Sequence, residues 1–138
     1  MKKQALTLVG VLSLLLAAGS VFAQSSEIQA NVPFDFVVNH VTLPAGQYTV
    51  TTMGAGNMAL MIRGFDKGVM LVNATPAEKA SASDRTKLVF RCYGDRCFLA
   101  QIWTEGSARG RILPKNGHES ELALDSTPHD RVLFASLR

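Results

Sequence analysis

The chain has 138 residues, a formal net charge of +3 and a hydrophobic share of 47%. This length allows one ordinary domain with a sizeable core and is too short for two. Beyond Lys2 and Lys3, the 12 other basic residues are interspersed with 11 acidic ones, and only Arg109-Gly110-Arg111 is locally dense. A nucleic-acid partner would require a clustered basic stripe, so the composition argues against nucleic-acid binding.

Residues 1–23 have the three parts of a secretory signal peptide: a positive start, an apolar run and a small-residue cleavage site at Val21-Phe22-Ala23. The alternative is an N-terminal membrane anchor, but the apolar run is shorter than the ~20 residues that span a bilayer. The sequence therefore predicts cleavage after Ala23 and no stable membrane span afterwards. We expect an exported domain, periplasmic or extracellular, over residues 24–138, with a net charge near +1 once two lysines are removed.

The first half of the mature region reads as short strands separated by turns. Apolar residues alternate with others around Phe34, Phe36 and Val38, which is the period of a half-buried strand. Pro33 donates no backbone hydrogen bond and therefore belongs at an edge, a bulge or a strand start. Glycine, proline and asparagine mark the turns. The predicted strands are residues 28–39, 47–52, 58–63 and 69–75.

The second half contains a hairpin over residues 88–103, one helical candidate over residues 116–124 and a last strand over residues 131–137. Residues 76–86 are small and polar without apolar periodicity, so we predict an exposed loop there. About seven short strands joined mainly by turns predict an all-β fold. The architecture that they favour is a small antiparallel β-sandwich or barrel in a single domain.

The hairpin is centred on Gly94-Asp95, a pair suited to a tight turn with positive φ angles. With these two residues as the loop, successive side chains alternate between a core face and a mixed face. The predicted core face carries Leu88, Phe90, Cys92, Cys97, Leu99 and Trp103. The mixed face carries Val89, Arg91, Tyr93, Arg96, Phe98 and Ile102.

Cys92 and Cys97 face each other across this hairpin. In an oxidising compartment two cysteines this close usually form a disulfide, and opposed hairpin residues lie near enough to bridge. We therefore predict a Cys92–Cys97 bond. The loop that it closes is very short, so the bond stabilises by less than the ~3 kcal/mol of a 15-residue loop and mainly holds the strand register.

Three segments carry a resemblance: residues 32–36 (VPFDF), 43–50 (LPAGQYTV) and 93–96 (YGDR). With them the chain resembles a group of small exported bacterial proteins of unknown function, and the likeness extends over most of the mature chain, including residues 110–114. The turn and strand of the second segment also resemble an element of many secreted β-sandwich domains, where it recurs without shared activity. The resemblance implies a single secreted domain and no catalytic residue.

The sequence predicts neither a catalytic residue nor a metal or cofactor site. His40, His118 and His129 lack the spacing of a zinc site on a helix. Ser126, His129 and Asp130 lie close in sequence, but members of a catalytic triad meet through the fold rather than through adjacency. No nucleophile elbow, phosphate loop or dinucleotide fingerprint occurs. A hydrolase is therefore the third functional hypothesis.

Arg91, Tyr93 and Arg96 are the candidate contact surface, because two cations and an aromatic ring on one hairpin face can hold an anion or stack on a sugar. Arginine and tyrosine are also enriched among the residues that dominate binding at interfaces. The alternative is that the arginine stems cover apolar surface. Glu119 and Glu121, two apart on the helical candidate, do not face each other and are expected on a solvated rim.

Export, an all-β fold and the lack of a catalytic constellation favour a non-enzymatic protein. Its predicted role is binding or assembly with an unknown envelope or extracellular partner. The second hypothesis is a small barrel that carries an apolar small molecule, because methionines form adaptable pocket linings. The methionines in question are Met53, Met58, Met61 and Met70.

Overall fold

The computed structural model describes residues 27–53, 58–65 and 68–137, so the predicted signal peptide lies outside the described residues. The described part contains twelve strands and one short helix. In chain order these are β1 (Glu27–Val32), β2 (Phe36–Val38), β3 (Val41–Leu43), β4 (Gly46–Met53), β5 (Ala59–Gly64), β6 (Val69–Asn73), β7 (Thr75–Glu78), β8 (Lys87–Tyr93), β9 (Arg96–Trp103), β10 (Arg109–Ile112), α1 (Gly117–Asp125), β11 (His129–Phe134) and β12 (Ser136–Leu137).

The strands form two sheets, so the all-β prediction is confirmed, and the arrangement is a sandwich rather than a closed barrel. The first sheet has the antiparallel order β12-β1-β4-β5-β6. The second sheet has the order β11-β8-β9-β10-β7. In addition, β2 pairs in parallel with β9 and antiparallel with β3. The predicted helix is confirmed as α1.

Three segments predicted as one strand are each two strands in different sheets, and β3 and β10 lie outside the predicted strands, so the strand number is twelve rather than seven. The predicted strand 28–39 breaks at Pro33, with β1 in the first sheet and β2 in the second. A proline cannot donate to a ladder, and Asp35 Oδ1 accepts a hydrogen bond from the backbone of Ala45 (2.9 Å) at this corner. Ala74 and Ala135 are the corresponding corners between β6 and β7 and between β11 and β12.

The predicted exposed loop over residues 76–86 is partly wrong. Its beginning belongs to β7, which pairs with β10, and Pro76 is accommodated because β7 is an edge strand. Further along, Ser83 and Thr86 are buried although they are polar. Thr86 Oγ1 accepts a hydrogen bond from the backbone N–H of Glu105 (3.1 Å). Periodicity did not predict these contacts because each depends on a partner distant in sequence.

Aromatic rings join the two sheets at the centre of the sandwich. Phe90 of β8 is fully buried, and its ring lies edge-on to Phe34 (4.9 Å between centroids) and Phe36 (5.4 Å). Phe36 in turn contacts Tyr48 of the first sheet, 5.1 Å away. Edge-to-face aromatic pairs contribute about 0.5–1.5 kcal/mol each beyond their burial. The hairpin therefore has an aromatic support in the core between the two sheets.

The hairpin prediction is confirmed near the turn and wrong at the far end. The β8–β9 ladder shifts register between Val89 and Phe90, and Ala100 is the extra residue of β9. An extra residue reverses the alternation of side chains beyond it. Ile102 therefore faces the main core and Trp103 does not, the reverse of the prediction. Trp103 is buried on the opposite face, where the Lys79 ammonium lies 3.9 Å from its ring centroid.

Candidate functional site

The tip of the β8–β9 hairpin has the predicted register. Gly94 has a φ of 61°, as the tight turn requires, and Tyr93 lies opposite Arg96. Cys92 and Cys97 are directly opposed and joined in a disulfide, so that prediction is confirmed. Both cysteines are buried in the core. The tip is thus covalently fixed on its core side.

Helix α1 covers the other side of the tip, and Glu119 is its contact residue. Glu119 is 3% exposed, so its expected position on a solvated rim is wrong. Its Oε2 accepts hydrogen bonds from Arg91 Nη1 (2.6 Å) and from the hydroxyl of Tyr93 (3.0 Å). A buried carboxylate requires such partners, because burying an unpaired charge is very costly. Arg91 and Tyr93 are therefore occupied by a contact within the chain.

The first turn of α1 is held in place by a cap. Asn116 Oδ1 accepts the backbone N–H of Glu119 (2.7 Å), and Asn116 Nδ2 donates to the carbonyl of Asn39. A capping side chain satisfies an N–H group that has no partner inside the helix, and a carboxylate in the first turn also interacts favourably with the helix dipole. Leu124, in contrast, is 87% exposed. The helix is consequently fixed to the sandwich through polar groups at its N-terminus.

The environment of Tyr93 raises the pKa of its phenol. Burial is the main cause, and the hydrogen bond to Glu119 and the negative charge of that carboxylate act in the same direction. The charge of Arg91 and a hydrogen bond with it oppose the change. The phenol therefore remains neutral and continues to donate to Glu119 well into alkaline solution.

Arg96 is the exposed member of the candidate contact surface. It lies on the strand facing Tyr93 and contacts the ring of His118 at the start of α1. The structure thus brings Arg91, Tyr93 and Arg96 to one face, as the sequence predicts. Tyr93 is 5% exposed, so a partner at this face would meet Arg96 and His118 first.

The residues of the hydrolase hypothesis lie in an exposed region. Ser126 caps the C-terminus of α1, and His129 and Asp130 begin β11. Since His129 and Asp130 are consecutive strand residues, their side chains point to opposite faces. All three are exposed, and a group of three or more metal-binding side chains is not found in the described part of the chain.

Strand β6 has an edge to which no strand of the described residues pairs. The backbone N–H of Ala74 donates to the carbonyl of Met58 (2.8 Å). This bond defines the phase of the β5–β6 ladder, meaning which residues of β6 direct their N–H and C=O groups towards β5. Since hydrogen-bonded pairs alternate along an antiparallel ladder, Met70 and Val72 direct their backbone groups to β5. The residues whose N–H and C=O groups point outward are Val69, Leu71 and Asn73.

The other edge strands have features that discourage pairing, whereas β6 has none of them. β12 and β3 are only two and three residues long. β7 contains Pro76 and Glu78, and β11 contains Asp130 and Arg131. Short length, proline and charge are the usual protection of exposed edges. β6 has the sequence VMLVN, with neither charge nor proline.

The side chains next to this edge are apolar. Val69 is 58% exposed and Leu71 is 64% exposed, and Met61 lies beside Leu71 on the outer face of the sheet. Between β6 and β3 the sandwich has a cavity of about 240 Å³, to whose lining Val41 and Met70 contribute. The β6 edge, meaning Val69–Asn73 with its outward backbone groups, therefore offers both hydrogen bonds and apolar contact. Sequence reasoning predicted the strand but not its position at an edge.

No protein-family model matches this chain, and comparison with characterised proteins and with solved structures yields no significant match. Among the described residues, no helix is both long enough and apolar enough to cross a membrane. The β6 edge and the hairpin tip under α1 are thus the two features from which function can be inferred.

Proposed function

We propose that this chain is an exported, non-enzymatic β-sandwich that acts by binding or assembly, and that it adds a strand of its partner along the β6 edge. One observation carries the proposal: β6 is a five-residue edge strand without charge or proline, and its alternate residues direct free backbone groups outward. Strand addition uses such groups for affinity and the alternate side chains for specificity. The Cys92–Cys97 disulfide is compatible with an oxidising compartment.

Site-specific photo-cross-linking in the native host tests this proposal. A photoreactive residue replaces Leu71 on the β6 edge, and a matched variant carries it at Leu124, which is exposed on α1. We expect a defined adduct from position 71 and none from position 124. The same pattern from both positions, or no adduct from position 71, would contradict strand addition at β6.

The carrier hypothesis has less support from the geometry. The open sandwich lacks the closed barrel on which the hypothesis was based, and Met53 and Met58 are exposed rather than directed into a chamber. A depression of about 650 Å³ on the first sheet is lined largely by polar residues such as Gln29, Gln47 and Arg63. Native mass spectrometry of protein from its host separates the two hypotheses, because a retained small molecule supports the carrier.

The hairpin tip is a second candidate contact surface, with Arg96 as its exposed member. An Arg96→Ala variant tests it directly, since the hydrogen bonds to the buried Glu119 carboxylate come from Arg91 and Tyr93, whereas Arg96 contacts His118. Loss of partner capture with an unchanged Tm supports a role for the tip. If the variant captures the partner as the wild type does, Arg96 is a surface residue without a role in binding.

A further inference from the structure

We propose that the strand added along the β6 edge is β6 of a second copy of this chain, in an antiparallel pair with its two-fold axis at Leu71. The inference rests on the proposed function and names its partner. It follows from three properties of β6: the direction of its free backbone groups, the absence of charge and the apolar row that reaches the edge.

The outward backbone groups are self-complementary in this register. Leu71 of one copy lies opposite Leu71 of the other, and Val69 lies opposite Asn73 in both directions. All three residues carry an N–H and a C=O that point away from β5, as the phase of the β5–β6 ladder requires. Each of them donates and accepts one hydrogen bond across the axis. The pairing therefore leaves none of these outward groups without a partner.

The side chains also match across the axis. On the outer face Met61 lies beside Leu71, so the two copies create one continuous row from Met61 through both Leu71 side chains to the second Met61. On the inner face Met70 of one copy lies opposite Val72 of the other. Cross-strand pairs of this kind contribute about 0.2–1 kcal/mol each. The two Val69–Asn73 pairs flank the Leu71 row on the outer face.

The residues of β5 and β6 bring no like charges together in this pairing. Within β5 and β6 the charged side chain is Arg63, which lies on β5 opposite Val69. In the dimer the two β5 strands are three strand spacings apart, roughly 14 Å at ~4.8 Å per spacing. That separation exceeds the ~8 Å screening length at physiological salt. Pairing β11 with itself would instead bring its charged residues together.

A two-fold pair is a closed assembly. The interface uses the same edge of both copies, so once it forms neither β6 edge remains open to a third chain. An unprotected apolar edge is otherwise a site of aggregation. Dimer formation thus explains how an exported chain can retain an edge strand that lacks charge and proline.

The test begins with the molar mass of the exported protein, measured by light scattering during size exclusion over rising protein concentrations. We expect the mass to approach twice that of the monomer. The Leu71→Pro variant should stay at the monomer mass, because it removes an outward N–H and leaves the β5–β6 bonds intact. A wild type that remains monomeric, or a Leu71→Pro variant that dimerises equally, would overturn the proposal.

Circular dichroism shows whether the proline variant folds. If it does not fold, a second pair of variants tests the same pairing. Leu71→Cys should form a reducible covalent dimer on oxidation, since its Cα atoms would be ~5.5 Å apart across the axis and within the range of a disulfide. Leu124→Cys, equally exposed but on α1, is the matched control. Equal cross-linking of the two variants contradicts the register.

The outcome also distinguishes this inference from the proposed function. If the wild type is monomeric and the photoreactive residue at position 71 links to a different protein, self-pairing is wrong while strand addition at β6 is retained. If position 71 links to neither another protein nor a second copy, both are wrong.

Discussion

The tip of the β8–β9 hairpin and the β6 edge are both strand surfaces outside the main core. They differ in that the tip is covered by another element of the chain and the edge is not. The tip carries Arg91 and Tyr93, and α1 covers it through the buried carboxylate of Glu119. The β6 edge carries aliphatic residues, and the described part of the chain leaves it open. Arginine and tyrosine, which usually dominate interfaces, thus make contacts within the molecule at Arg91 and Tyr93. The open surface instead presents the backbone and aliphatic side chains of β6.

The difference has a physical basis in what each surface leaves unsatisfied. The tip presents charged and hydroxyl groups that one carboxylate can satisfy from within the same chain. The edge presents backbone donors and acceptors, which only another extended segment can satisfy in a continuous ladder. Variants of the two regions should therefore differ in kind: those of the tip should affect folding, and those of the edge should affect association.

The largest expected effect is that of Glu119→Ala. It leaves Arg91 half-buried without its carboxylate and removes the acceptor of Tyr93, so we expect a loss of about 3 kcal/mol in the free energy of unfolding. For a domain of this size the Tm should fall by roughly 10 °C or more. Thermal unfolding followed by circular dichroism measures it.

The control for Glu119→Ala is Glu121→Ala on the same helix, where the side chain is exposed. Its Tm should be close to that of the wild type. If the two variants unfold at the same temperature, Glu119 does not hold α1 on the hairpin.

Removal of the disulfide should have the next largest effect. Cys92→Ala with Cys97→Ala opens a very short loop, so the entropic cost is about 2 kcal/mol rather than that of a long loop. Chemical denaturation of the wild type with and without reductant provides the comparison. The double variant should resemble the reduced wild type and should not respond to reductant.

Tyr93→Phe should cost about 1 kcal/mol, because it removes the hydroxyl that donates to Glu119. It should also change the pH dependence of stability. The pKa of Tyr93 is raised above its ordinary value of 10.0, so its contribution is fully present below pH 10.0 and declines as pH rises towards the folded-state pKa.

Stability measured across alkaline pH checks this sign. The wild type should lose stability above pH 10.0 more steeply than the Tyr93→Phe variant. Tyr48, whose pKa burial also raises, supplies a remaining dependence that both proteins share. Identical slopes in the two proteins would show that Tyr93 titrates normally.

The smallest effect on folding is expected at the β6 edge. Leu71→Lys replaces a side chain that is 64% exposed, so the free energy of unfolding of the monomer should change by no more than about 0.5 kcal/mol. The charge should nevertheless prevent pairing across the two-fold axis, since it brings two lysines together. Leu124→Lys is the matched control, and molar mass is the readout. A dimeric Leu71→Lys variant would remove the contrast between tip and edge.

Local patterns were sufficient for the elements whose partners are close in sequence. Gly94-Asp95 between two apolar runs predicted the hairpin, the facing of Cys92 and Cys97, and hence the disulfide. The helix α1 followed from a short segment that begins after Asn116. These features depend on turn geometry and capping, which a few neighbouring residues decide.

Tertiary structure decided the rest. The corners at Pro33, Ala74 and Ala135 send consecutive strands to different sheets, and the register shift at Ala100 exchanges the faces of Ile102 and Trp103. Whether Glu119 is buried depends on a hairpin 26 residues away from it in sequence at Tyr93. Likewise β6 is an edge because no other strand pairs beside it among the described residues. A strand reads the same in sequence wherever it lies in a sheet, because its periodicity reports burial of its faces and not the pairing of its backbone.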